Sequence, residues 1–137
     1  MSIGRRLLMK LTGVLVDVIN QEIKVVTIPG KNRLKEYYGI LKCDTIDIVS
    51  YSIKGKKYDI IVDDEGLFKE NNPPAIALIH AGELTGYLVG NAFIVKHDGK
   101  GKEISLTKSE IDDILSMVIE IPDKELGALK FIYAEEL

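Results

Sequence analysis

The chain has 137 residues and a mass of 15.2 kDa, the size of one compact domain, and its 46% hydrophobic and 28% charged residues exclude a disordered or fibrous protein. A single cysteine, Cys43, excludes an internal disulfide and any multi-cysteine metal site, and apolar runs such as Ala75–Ile79 are far too short to span a bilayer. The net charge of −3 is unevenly spread, with eleven Lys/Arg against five Asp/Glu in residues 1–57 and seven against sixteen in residues 58–137.

Residues 1–12 read as a leader with the basic pair Arg5-Arg6. They lack the apolar stretch and cleavage site of a secretion signal, so a cytoplasmic location is expected. A single domain is expected over residues 13–121. Val14, Val16 and Val18 alternate on one face of a first strand, Asn20-Gln21 breaks it, and Ile23–Ile28 returns as the second arm of a hairpin. Pro29-Gly30 ends that arm. Asn32 is placed to cap a short helix in which Leu34, Tyr37, Tyr38 and Leu41 form one apolar stripe. A second hairpin runs from Thr45–Ile53 through Lys54-Gly55-Lys56-Lys57 to Tyr58–Val62, and Asp63-Asp64-Glu65-Gly66 closes it in a turn.

After Asn71-Asn72-Pro73-Pro74, proline at the first helical position predicts two turns of helix over Ala75–Ala81, ended by Gly82. The longest strand is predicted at Tyr87–Lys96, with a glycine-rich loop from His97 to Lys102 and a return strand Glu103–Leu106. Thr107-Lys108-Ser109-Glu110 has the spacing of a capping box, followed by the stripe Ile111, Ile114, Leu115 and Val118. Residues 122–137 read as an extension whose strand, Ala128–Tyr133, lies at a sheet edge. There it is open to a homodimer or to a strand from a target protein. The fold class is α+β: an antiparallel, hairpin-built sheet of about six or seven strands with two or three short helices packed on it.

No arrangement of side chains advertises catalysis. His80 and His97 lack metal-ligand spacing, and Cys43 lies in a helix-to-strand connection without a nucleophile signature. Asp63, Asp64, Glu65 and Glu70 are not at the alternate positions of a calcium loop and read as an acidic tip that a basic partner would face. Gly99-Lys100-Gly101-Lys102 joins two strands, not a strand and a helix, so it is not a phosphate loop of the nucleotide-binding type. Lys54, Lys56, Lys57, Lys100 and Lys102 nonetheless form two basic tips able to meet phosphates, with Tyr51, Tyr58 and Tyr87 as stacking faces. Asn91, beside Gly90 in a strand interior, either satisfies a local bulge or lines a small polar pocket. No metal and no cofactor is expected.

The succession of these segments carries a resemblance. The hairpin ending Ile61-Val62-Asp63-Asp64-Glu65-Gly66 is followed by Asn72-Pro73-Pro74-Ala75. The strand Leu88-Val89-Gly90-Asn91-Ala92-Phe93-Ile94-Val95 then leads to Ser105-Leu106-Thr107-Lys108-Ser109-Glu110-Ile111. Over about residues 13–118 the chain resembles the small proteins grouped as domain-of-unknown-function family 3846, carried by phages, prophages and other mobile elements of Gram-positive bacteria. The segment from Glu120 to Leu137 has no counterpart in it.

The resemblance implies an accessory protein in a host bacterial cell and assigns no catalytic residue. The reading that follows is a non-enzymatic protein that counters or modulates a host defence by binding a host protein. A nucleotide-signal sponge is the alternative, and a nucleic-acid-binding module the second alternative.

Overall fold

A computed structural model describes residues 10–66 and 72–137. Arg5, Arg6, Glu70 and Asn71 therefore lie outside the described residues. The strands are β1 Leu11–Asp17, β2 Glu22–Ile28, β3 Ile46–Ile53, β4 Lys56–Asp63, β5 Pro74–His80, β6 Glu83–Val89, β7 Ala92–His97, β8 Glu103–Ile104, β9 Val118–Asp123 and β10 Gly127–Glu135. The helices are α1 Arg33–Leu41 and α2 Lys108–Leu115.

The ten strands form one mixed sheet in the order β2-β1-β7-β4-β3-β10-β5-β6, with β8 on β7 and β9 on β10. It is larger than expected and not purely antiparallel, because β5 and β10 pair in parallel from Ile76↔Ile132 to Ile79↔Glu135. Period-two alternation explains how β1, β4 and β7 are buried on both faces. Val14, Val16, Ile60, Val62, Ala92 and Ile94 face one core with Ile76, Ile132 and Ile114. Leu11, Leu15, Ile61, Phe93 and Val95 face a second core, covered by Tyr37 and Leu41 of α1.

Local signals hold where they are self-contained. Both early hairpins form, and the second turns at Lys54-Gly55 with φ of 52° and 82°. Thr107 accepts from the Glu110 N–H at 3.2 Å while Glu110 accepts from the Thr107 N–H at 2.7 Å, completing the capping box of α2. Its stripe is shorter than the spacing suggested: Ile114 is buried, Leu115 is exposed, and Val118 already belongs to β9. Asn32 precedes α1 but makes no capping bond, its backbone being left-handed at φ 55°, and Leu34 points to solvent while Tyr37 and Leu41 are buried.

Three expectations are overturned. Ala75–Ala81 is not a helix but most of β5, because a short apolar run is equally a strand buried on both faces, and here β10 and β6 flank it. Pro74 sits at the first strand position, where its missing donor costs no ladder bond, and Ala81-Gly82 makes the hairpin turn.

The predicted strand Tyr87–Lys96 is two strands. Gly90, at φ 83° and donating to the Pro73 carbonyl at 2.9 Å, turns the chain from β6 beside β5 to β7 between β1 and β4. Finally, β10 is interior and not an edge strand. It pairs with β5, β9 and, at Glu135↔Ser52, β3, while β9 runs across the expected boundary at residue 122.

Candidate functional site

The β3–β4 tip does not present its lysines as a set. Lys54 lies 3.6 Å from Asp113 and 3.4 Å from the Ser116 hydroxyl, and Lys56 pairs with Glu110. Both are thereby tied to α2. Lys57, Lys100 and Lys102 form no ion pair among the described residues and lie at the same end of the sheet, since β4 and β7 pair antiparallel there. The tyrosines do not join them. Tyr58 is buried, and burial next to the Glu110 and Asp113 carboxylates pushes its hydroxyl up to about 12. Tyr51 is half-buried against the core, and Tyr87 belongs to β6, edge-to-face with Phe131 of β10.

A serine, an aspartate and a histidine do meet at that end. Asp59, 6% exposed, accepts from the Ser50 hydroxyl at 2.9 Å and lies 2.9 Å from His97 Nδ1. Both partners hold the carboxylate, and the hydroxyl does not touch the imidazole, so this is not a nucleophile–base relay. Sequence reading passed over Asp59, although a lone acid inside the run Tyr58–Val62 signals a buried carboxylate that needs partners. His80, at the end of β5, lies 3.4 Å from Glu136. Cys43 is buried.

At the opposite end of β4 the sequence-predicted residues converge. Asp63 sits at the strand end and accepts from the Glu65 N–H at 2.9 Å, which fixes the acidic turn. The Asp64 N–H donates to the Thr45 carbonyl and its carboxylate is exposed. Next to this turn β3 begins and β6 ends, and between them lies a hollow of about 150 Å³. Asp47, Val49 and Asp64 line it on one side and Tyr87 and Val89 on the other. Tyr87 is 43% exposed. Carboxylates beside an aromatic face attract a cation twice, by charge and through the ring quadrupole.

A second hollow of about 120 Å³ adjoins Asp63, Asn72 and Asn91. Asn91 satisfies both expectations at once. Its Oδ1 accepts from the Val18 N–H at 2.9 Å, its Nδ2 donates to the Ile40 carbonyl at 3.2 Å, and it lines this hollow. It thereby ties the β1 end to the α1 end. Asn91→Leu would leave both backbone groups without a partner, and is expected to cost about 2 kcal/mol in urea denaturation.

Among the described residues no group of three or more His, Cys, Asp and Glu is disposed to hold a metal ion, and no helix is long and apolar enough to cross a membrane. A family model described as Domain of unknown function (DUF3846) matches residues 9–119. No curated protein and no solved structure matches the chain.

Proposed function

This chain belongs to the DUF3846 family, and from that premise we propose that it is an accessory protein of mobile genetic elements that counters a host defence by binding a basic host protein rather than by turning over a substrate. The observation that carries the proposal is the hollow shared by Tyr87, Asp47 and Asp64. At about 150 Å³ it holds one side chain, well below the roughly 300–1,000 Å³ of a small-molecule pocket. Its carboxylates and aromatic ring favour a lysine or arginine on an extended segment of the partner. Enzymes that handle nucleic acids present such side chains in quantity, and the acidic second half of the chain would steer them.

The test is capture from host lysate on immobilised protein, after nuclease digestion. The expected result is a defined host protein retained by the wild type and released by salt. Asp47→Asn combined with Asp64→Asn should lower its retention roughly tenfold, consistent with the loss of two charge-assisted contacts. Retention unaffected by the double substitution, or abolished by nuclease, would overturn the reading.

A second reading has its own observation. A hollow of about 400 Å³ lies near the Lys54 tip, lined by Ser52, Met117, Tyr133 and Glu135, and its size suits a nucleotide-sized ligand. Native mass spectrometry of protein purified from host cells would reveal a retained ligand.

A further inference from the structure

Three strands of six or more residues pair on one side only among the described residues: β2, β9 and β6. Such an edge offers free N–H and C=O groups to any other chain, and proteins ordinarily blunt it with charge or proline. On β2, Glu22 and Lys24 are exposed and pair with each other at 3.3 Å. Glu120, Pro122 and Asp123 lie along β9, so charge and a missing donor guard it. β6 has neither device. From Leu84 to Val89 it carries no charge and no proline, and Leu84 and Tyr87 are 53% and 43% exposed.

The composition of β6 says what would fit there. Leu84-Thr85-Gly86-Tyr87-Leu88 is nearly symmetric about Gly86. If two such strands pair antiparallel about that residue, Leu84 faces Leu88 of the second copy and Thr85 faces Tyr87. Glu83 then falls opposite Val89, so no like charges oppose each other.

Gly86 is a second, independent indication. Its backbone is not left-handed, and a Cβ added to it would meet nothing within 4 Å, so neither conformation nor crowding in the described chain calls for glycine. Glycine inside a strand weakens it and often marks the close approach of another backbone. A two-fold axis at Gly86 supplies that approach.

We propose that β6 pairs antiparallel with β6 of a second copy of this chain about a two-fold axis at Gly86, joining the two sheets edge to edge. The inference does not depend on the cation-accepting hollow and can fail separately from it.

Sedimentation equilibrium over a wide concentration range is expected to give a reversible monomer–dimer equilibrium. Leu84→Lys should weaken the dimer about tenfold, because symmetry removes two leucine pairs at once and places lysine on the edge. Gly86→Cys gives a readout of register. Paired residues in an antiparallel ladder lie about 4.5–5.5 Å apart at Cα, within disulfide reach, so mild oxidation should link two copies and reductant release them.

Lys24→Cys on β2 serves as the control and should not link. Far-ultraviolet circular dichroism confirms that each variant is folded. A wild type that stays monomeric at all concentrations, a Leu84→Lys protein that associates like the wild type, or Gly86→Cys linking no faster than Lys24→Cys would overturn the proposal.

Discussion

Replacing Glu110 with alanine is expected to lower stability by about 4 kcal/mol at pH 7, the scale seen when one partner of a buried ion pair is removed. Glu110 is 3% exposed, yet it serves three elements at once. It closes the α2 capping box, meets Lys96 of β7 at 2.8 Å and pairs with Lys56 of β4. Its removal leaves Lys96, itself largely covered, without its carboxylate and takes away a cap worth roughly 0.5–2 kcal/mol.

The same residue sets an acid limb. Burial on its own would push the Glu110 carboxyl above its ordinary 4.5, but the bonds from Lys56, Lys96 and Thr107 outweigh burial and hold it at about 2. A carboxyl lowered on folding stabilises the native state above its unfolded pKa. That contribution, roughly 3 kcal/mol here, fades as pH falls from 4.5 towards 2. Urea denaturation of the wild type and Glu110→Gln should therefore differ most near neutrality and converge at low pH. Parallel stability curves down to pH 2 would show that Glu110 is not the titrating group.

Gly13→Ala should cost about 3 kcal/mol, at the upper end of what overpacking usually does. The added Cβ would collide with the Ile94 carbonyl and come within 2.8 Å of Val95 Cγ1 and 2.9 Å of Phe93 Cζ. Two of these contacts belong to β7 side chains fixed in the core, and the third is backbone of a strand held on both sides by β1 and β4. Gly39→Ala in α1 is the counterpart. It meets nothing within 4 Å and should stabilise by up to about 1 kcal/mol through helix propensity. Thermal melts of the two variants should shift in opposite directions. A Gly13→Ala protein as stable as the wild type would mean that β1 and β7 do not approach as closely as this.

What could be read from the sequence was what neighbouring residues decide. The hairpin turns, the capping box and the alternation of β1 depend on positions a few residues apart, and those elements form as read. β5 could not be read that way. Ala75–Ile79 has no period that separates helix from strand, and its identity comes from β10, far along the chain. The same remoteness made β10 look like an edge.

The site was legible in parts. Asp63, Asp64 and Tyr87 were each singled out for separate purposes, and only the Gly90 turn brings β6 back beside the β4 turn to join them. Asp47 gave no signal, being one acid on an exposed strand face. Lys54 and Lys56 looked available because α2, whose acids engage them, lies far from them in sequence.

The parallel pairing of β5 with β10 also orders events in time. Hairpins such as β1–β2 and β3–β4 close over two to four residues and can settle in microseconds. Ile76 and Ile132 can meet only after everything between them has been gathered in, so this contact bears the largest loop-closure entropy in the sheet. Until it forms, β5 has one backbone side open and an apolar run on both faces. The interval between hairpin formation and the docking of β10 is therefore when this chain is most exposed to association with the wrong partner.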